Sequence, residues 1–279
     1  MSAAGAPTDP GPARPERDHG DVHHLGALAA AVGAPLNDAQ LAQFAAYRDL
    51  LSEWNARFNL TAVTDPHEID RRLFVDALRM LPALDACRRG AAGADGRLVD
   101  IGSGAGFPGL PLKIARPGWD VTLVEATAKK VAFLTHAIAA LGLEGARAVH
   151  GRAEDLGHDP AHRGRYDVAV ARAVARLPAL LEICLPLLRR GGVALFPKGA
   201  SIADELAAGE RAASLLGGRV LGAATLPGGE GRLVRVAKVG PTPTRFPRRA
   251  GLPAREPLGA ARAADNVATL DQAPAGRSA

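Results

Sequence analysis

The sequence predicts an α/β fold in which an open, mostly parallel sheet carries a terminal antiparallel hairpin and follows an N-terminal cap of helices. Three observations predict it. After Gly96 short apolar runs alternate with helical stretches, the rhythm of a parallel sheet with helical crossovers. Gly102, Gly104 and Gly106 directly follow the first of those runs, which makes a strand, a glycine turn and a helix start. The last two apolar runs are separated only by Pro227-Gly228-Gly229-Glu230-Gly231, too short for a crossover, so those strands must be antiparallel.

Residues 1–20 are rich in Pro, Gly, Ala and charge and contain no hydrophobic run, which predicts a disordered tail and no secretory signal. Residues 263–279 are similarly polar and are expected to form a second disordered tail. The helical cap spans 21–90. In it Asn37 can cap a helix with Gln40 three residues on, and Leu41, Phe44, Tyr47, Leu51 and Trp54 recur at helical spacing. A second helix follows Asp65, with Pro66 at its first position. The sheet domain covers 91–240, with strands predicted at 98–101, 121–125, 147–150, 166–171 and 193–196. Helices are predicted at 110–115, 128–141 and 177–190, the last stopped by Gly191 and Gly192. The hairpin strands are 220–226 and 233–239, and a basic segment, 241–262, follows them.

Hydrophobic residues make up 47% of the chain and aromatics only 4%, so the core must be built mainly from Ala, Val and Leu. No stretch reaches the roughly 18 apolar residues of a membrane span, and a soluble, cytoplasmic monomer is expected. Cys87 and Cys184 lie far apart in apolar helical contexts, which fits reduced core thiols. His158 and His162 have the spacing of metal ligands, but Pro160 between them would disrupt a helix carrying both, and no metal site is predicted. The net charge of +5 points to an anionic partner. Its distribution is sharper: from Arg232 to Arg262 eight basic residues face a single acid, Glu256.

The run Val99-Asp100-Ile101-Gly102-Ser103-Gly104-Ala105-Gly106-Phe107-Pro108-Gly109 lets backbone approach a ligand without a Cβ in the way. Gly104, Gly106 and Gly109 also have dinucleotide spacing, so alone the loop fits either of two cofactors. Three features favour S-adenosyl-L-methionine. Asp100 can face an ammonium group or order the loop but would oppose a pyrophosphate. The terminal hairpin is the class I methyltransferase plan, a Rossmann-like sheet that ends antiparallel. The chain also offers no second nucleotide-binding half. Glu125, at the end of the second strand, is placed to accept hydrogen bonds from ribose hydroxyls. The loop Gly151-Arg152-Ala153-Glu154-Asp155 can present backbone and carboxylate to an adenine.

The acceptor is expected beside the loop after the fourth strand, Ala171-Arg172-Ala173-Val174-Ala175-Arg176-Leu177-Pro178. It lacks the Asn/Asp-Pro-Pro-aromatic signature used on exocyclic amines and has no cysteine to attack a pyrimidine. N7 of guanine carries a lone pair and no proton, so transfer to it needs alignment more than a base. Arg172 is the residue expected to act there, orienting the cofactor carboxylate or contacting substrate.

Several stretches now resemble one family, the bacterial 16S ribosomal RNA guanine-N7 methyltransferases, or glucose-inhibited division protein B family. They are Glu53-Trp54-Asn55-Ala56-Arg57-Phe58-Asn59-Leu60-Thr61-Ala62-Val63, residues 100–112, Arg152-Ala153-Glu154-Asp155, Ala171-Arg172-Ala173, Pro197-Lys198-Gly199 and Pro247-Arg248-Arg249-Ala250-Gly251. The resemblance implies cofactor contacts at Gly102, Phe107, Ala153, Glu154 and Arg172. It implies a guanine in the decoding-centre loop of 16S rRNA as target, presented on the RNA or on a precursor of the small subunit. One position departs: the family has His in an Arg-His-x-x-Asp-Ser run where this chain has Leu73, which puts a role for that histidine in doubt here. Lys198, Arg245, Arg248 and Arg249 are the expected RNA contacts, and Phe246 among them can stack on a base or sugar. Two other readings stay open, a small-metabolite methyltransferase and a non-catalytic RNA-binding module.

Overall fold

The computed structural model describes residues 22–87, 96–172, 174–229 and 231–259. The expected tails, 1–20 and 263–279, lie outside the described residues. Helices α1 (Val22–Ala31) and α2 (Asp38–Phe58) open the chain. Asn37 and Gln40 form the reciprocal cap of α2, and the Gln40 amide also donates to the carbonyls of Ile114 (3.0 Å) and Ala115 (3.1 Å). Pro66 starts α3 (Pro66–Ile69), which widens into a π-helical turn over Asp70–Val75 before α4 (Asp76–Leu78) and α5 (Leu81–Asp85).

Seven strands follow in one sheet of order β3-β2-β1-β4-β5-β7-β6. They are β1 (Gly96–Ile101), β2 (Trp119–Glu125), β3 (Ala146–His150), β4 (Tyr166–Val170), β5 (Leu188–Lys198), β6 (Gly218–Thr225) and β7 (Arg232–Lys238). The first five are parallel, and β7 runs antiparallel between β5 and β6, as the short turn requires. Helices α6 (Gly109–Ala115), α7 (Ala128–Ala140), α8 (Ala153–Leu156), α9 (Leu177–Cys184) and α10 (Ala203–Leu215) connect the strands, and α11 (Leu252–Arg255) closes the described chain. One hydrophobic cluster joins Phe44, Tyr47 and Leu51 of α2 and Phe74 to Leu110 of α6, Leu123 of β2 and Phe133 of α7. Strand order reverses at β1, between β2 and β4, and ligands bind at the carboxyl edge of such a switch point.

Two expectations are corrected. The helix predicted over 177–190 ends at Cys184, because Pro186 cannot continue it. Gly191 and Gly192 then lie inside β5, not after a helix: a Cβ on Gly192 would sit 2.9 Å from the Asp167 carbonyl, so the bulge against β4 needs glycine. Helix α1 falls within the helical region expected over 21–90, whereas α10 is not among the predicted helices.

Candidate active site

At the end of β1 the chain turns through Gly102, Gly104 and Gly106 at φ of +68°, +60° and +98°, where side chains with a Cβ are strained. The Gly102 and Ser103 amides donate to the Val124 carbonyl of β2 (2.9 and 3.1 Å), and a Cβ on Gly102 would lie 2.8 Å from Val174. Asp100 lies beneath this loop, fully buried, and its Oδ2 accepts from the Gly109 amide at the start of α6 (2.9 Å). Burial pushes its carboxyl up to about 7, against the Gly109 hydrogen bond and the Arg172 charge that pull it down. Of the two roles open to this acid, ordering the loop is the one its contacts show. A Cβ on Gly109 would collide with Leu123 and the Asp100 carboxylate. From the helical side, the Tyr47 hydroxyl donates to the Ala105 carbonyl, and its ring stacks on Phe107 with centroids 5.5 Å apart.

A cavity of about 270 Å³ opens above the carboxyl edges of β1 and β2. Ile101, Gly102, Val124 and Glu125 form its floor, Ala153 and Glu154 one side, and Val174, Ala179 and Ile183 the other. Glu125 accepts from the amides of Gly104 (3.0 Å) and Thr127 (2.8 Å), so the acid at the β2 end is preset by the loop it faces. Its oxygens keep lone pairs for a ligand hydroxyl. Of the expected cofactor positions, Gly102, Glu125, Ala153 and Glu154 line this cavity; Gly104 reaches it through Glu125. Asp100, Gly106 and Phe107 lie outside its lining.

The remaining wall comes from a segment that local sequence patterns could not place. After β7 the chain returns along the sheet, and Gly251, Pro253 and Ala254 close the cavity, with the Gly251 amide donating to Glu154 (2.9 Å). Arg163 holds this strap by donating to the carbonyls of Phe246 (2.8 Å) and Thr242 (2.9 Å). Glu182 of α9, fully buried, accepts from the Arg248 amide and, at 2.8 and 2.7 Å, from its guanidinium. The expectation that Arg248 meets RNA is therefore corrected: its charge is committed to a buried carboxylate. Phe246 is corrected likewise, being buried in the second hydrophobic cluster and closed to base stacking. Arg245 and Arg249 are exposed.

A second cavity, about 260 Å³, lies across the loop that follows β4 and is lined by Asp76, Arg172, Pro197, Lys198, Gly199, Leu226 and Gly231. Arg172 belongs to this one. Its guanidinium donates to Asp76 at 3.3 Å and lies 5.2 Å from the Phe107 ring centroid. Lys198 bonds the Glu205 carboxylate (2.9 Å) and the Ala175 carbonyl (3.0 Å), which fixes the loop and leaves one of its three donors. Leu73 is packed in the core and lines neither cavity. Cys184 is buried at the end of α9, where desolvation pushes its thiol far above the ordinary range. Among the described residues no group of His, Cys, Asp or Glu could hold a metal ion, and no helix is long and apolar enough to cross a membrane.

The GidB family, described as rRNA small subunit methyltransferase G, matches residues 40–233. The ribosomal RNA small subunit methyltransferase G of Roseiflexus sp. (strain RS-1) is 50% identical over 233 residues, covering 82% of this chain and 97% of that protein. The protein of the same name from Chloroflexus aggregans is 50% identical over 229 residues, 81% of this chain and 93% of its own. Solved structures are more distant: TrmN from Thermus thermophilus is 20% identical, with a TM-score of 0.44 over 59% of this chain and 48% of that one.

Proposed function

The chain belongs to the rRNA small subunit methyltransferase G family, whose methyl donor is S-adenosyl-L-methionine, and from that premise we propose that it methylates N7 of a guanine in 16S rRNA. The observation that carries the proposal is the pair of cavities meeting across the loop after β4: Val174 and Ala175 line the first, and Arg172 lines the second. A donor in one and an acceptor base in the other have to meet at the edge of this shared loop, because direct transfer needs the methyl group and the acceptor atom in contact and in line.

The first cavity fits the cofactor on its own terms. Gly102 leaves room for a ligand against the backbone, Glu125 offers carboxylate oxygens for ribose hydroxyls, and Ile101, Val174, Ala179 and Ile183 supply apolar walls for an adenine. When bound, S-adenosyl-L-methionine supplies an electrophilic methyl group on a sulfonium. The residues around the second cavity then have to align and hold, not to remove a proton. Arg172 and the third donor of Lys198 can address O6 of a guanine, and N7 needs no base. The Cys184 thiol, buried and kept protonated, supports this reading over attack on a pyrimidine ring.

Arg245 and Arg249 are the strap's candidates for RNA phosphates, being exposed beside the cofactor wall. The decoding-centre loop as target, action as a metal-free monomer and a cytoplasmic location, where ribosomes are assembled, are parts of the same proposal. Incubation with radiolabelled S-adenosyl-L-methionine and small subunits lacking the modification tests it. Label should enter 16S rRNA, with strand cleavage diagnostic of N7-methylguanine at one position; label elsewhere, or none, overturns it.

A further inference from the structure

One carboxylate stands in the acceptor cavity, and nothing in the proposed reaction uses it. Asp76 is the first residue after the π-helical turn Asp70–Val75, a local widening that rotates the next helical turn and recurs at functional sites. Its side chain is 32% exposed and lines the second cavity. Oδ1 accepts from Arg79 and Oδ2 from Arg172, each at 3.3 Å.

Both flanking cations are fixed. Arg79 donates to the Pro227 carbonyl at 2.6 Å, in the turn between β6 and β7, and a Cβ on Gly229 would collide with its guanidinium. Arg172 is held over Phe107 and to the Arg72 carbonyl (3.4 Å). A carboxylate accepts up to about four hydrogen bonds, so one from each arginine leaves Asp76 with acceptor sites toward the cavity. The two arginines also offset its charge, which removes the repulsion a lone carboxylate would present to an incoming phosphate chain.

We infer that Asp76 is a specificity-determining residue that reads guanine, its carboxylate accepting from N1–H and the 2-amino group while the adjoining Arg172 donates to O6. The order of groups carries the inference. Along its Watson–Crick edge guanine presents donor, donor, acceptor, and an Asp beside an Arg presents acceptor, acceptor, donor. Adenine also has an N7 lone pair, but it presents a bare N1 to the carboxylate and a second donor to the guanidinium. A site built on hydrogen bonds rejects such a mismatch strongly, because its own polar groups are left unpaired. The pairing leaves the N7 edge of the base free. The inference rests on the guanine-N7 proposal.

The test uses the full-length protein and small subunits reconstituted with guanine, inosine or adenine at the target. The wild-type protein should methylate inosine, which lacks the 2-amino donor, at least about tenfold less efficiently than guanine. Asp76→Asn should lose about 100-fold in kcat/KM on guanine and shift the guanine-to-adenine ratio toward adenine, because an amide can donate to adenine N1. Asp76→Glu, which keeps the carboxylate, should keep guanine first. Cofactor affinity by calorimetry should match the wild type in both variants. Equal wild-type rates on guanine and inosine overturn the inference. So does a general loss in Asp76→Asn with the base ratio unchanged, which would make Asp76 a positioning residue for Arg172. If wild-type protein labels no guanine N7 at all, the proposed function itself has failed.

Discussion

The Tyr47 hydroxyl, on α2, donates to the carbonyl of Ala105 in the middle of the glycine loop. The N-terminal helices thereby hold the glycine loop in place. A Cβ on Gly106 would lie 2.6 Å from that hydroxyl, so the loop's third glycine leaves space for the tyrosine. Tyr47→Phe removes the hydroxyl and strands a buried carbonyl, at a cost of about 1–3 kcal/mol. The expected outcome is a lower melting temperature together with weaker S-adenosyl-L-methionine binding by calorimetry. A melting shift with unchanged affinity would confine Tyr47 to packing.

The strand rhythm, the hairpin and the glycine loop were legible because each is a local pattern: alternation, a turn too short for a crossover, three glycines after a strand. The acid at Glu125 was legible for the same reason, standing at a strand end. The helix end at Cys184 was marked by Pro186, but the apolar run around it masked the signal. Leu180, Leu181, Leu185, Leu187 and Leu188 form one apolar run whose period fits helix and strand alike. The strap was hidden for a different reason, since Arg248 and Glu182 meet across 66 residues and no local rule pairs them. Its arginines looked like one basic surface, and only the packing separates Arg248 from Arg245 and Arg249. Phe246, an aromatic in a chain with 4% of them, is spent on the core.

Asp100 makes stability depend on pH with a definite sign. Its ordinary value is 3.8 and burial raises it in the folded protein to about 7, so the folded state holds the proton more tightly than the unfolded chain. Its contribution to stability is therefore full below about 3.8 and is lost as pH rises through about 7. Asp100→Asn keeps an oxygen for the Gly109 amide and cannot ionise. Urea unfolding of both proteins at a series of pH values across that window should show the variant gaining on the wild type as pH rises. A constant difference would mean that Asp100 is already ionised at the acid end.

Arg248→Ala should act on stability and on the wall of the first cavity together. It leaves the Glu182 carboxylate fully buried without its cation, a change that costs about 3 kcal/mol or more. It also frees the strap that brings Gly251 to Glu154. Denaturant unfolding should show the loss, and calorimetry should show weaker cofactor binding. Adding Glu182→Gln, which removes the stranded charge, should recover part of the stability. If Arg248→Ala unfolds like the wild type, the ion pair does not hold the strap.

Arg245 and Arg249 should behave in the opposite way. Both are exposed, and Arg249 sits next to the residue that anchors the strap, so a phosphate chain held there would run beside the wall of the first cavity. Each phosphate contact on single-stranded RNA adds about 0.7 to the slope of log affinity against log salt. Arg245→Ala and Arg249→Ala should each lower that slope by about this amount for small-subunit RNA, with melting temperature and cofactor affinity unchanged. Filter binding over a salt series measures it. The two classes of arginine are thereby separated by which quantity moves: stability for Arg248, the salt slope for its neighbours. An unchanged slope in both exposed variants would place the RNA path elsewhere, with the groove between Arg71, Arg72 and Arg79 and the Gly228 turn the next surface to test, since it shares Asp76 with the acceptor cavity.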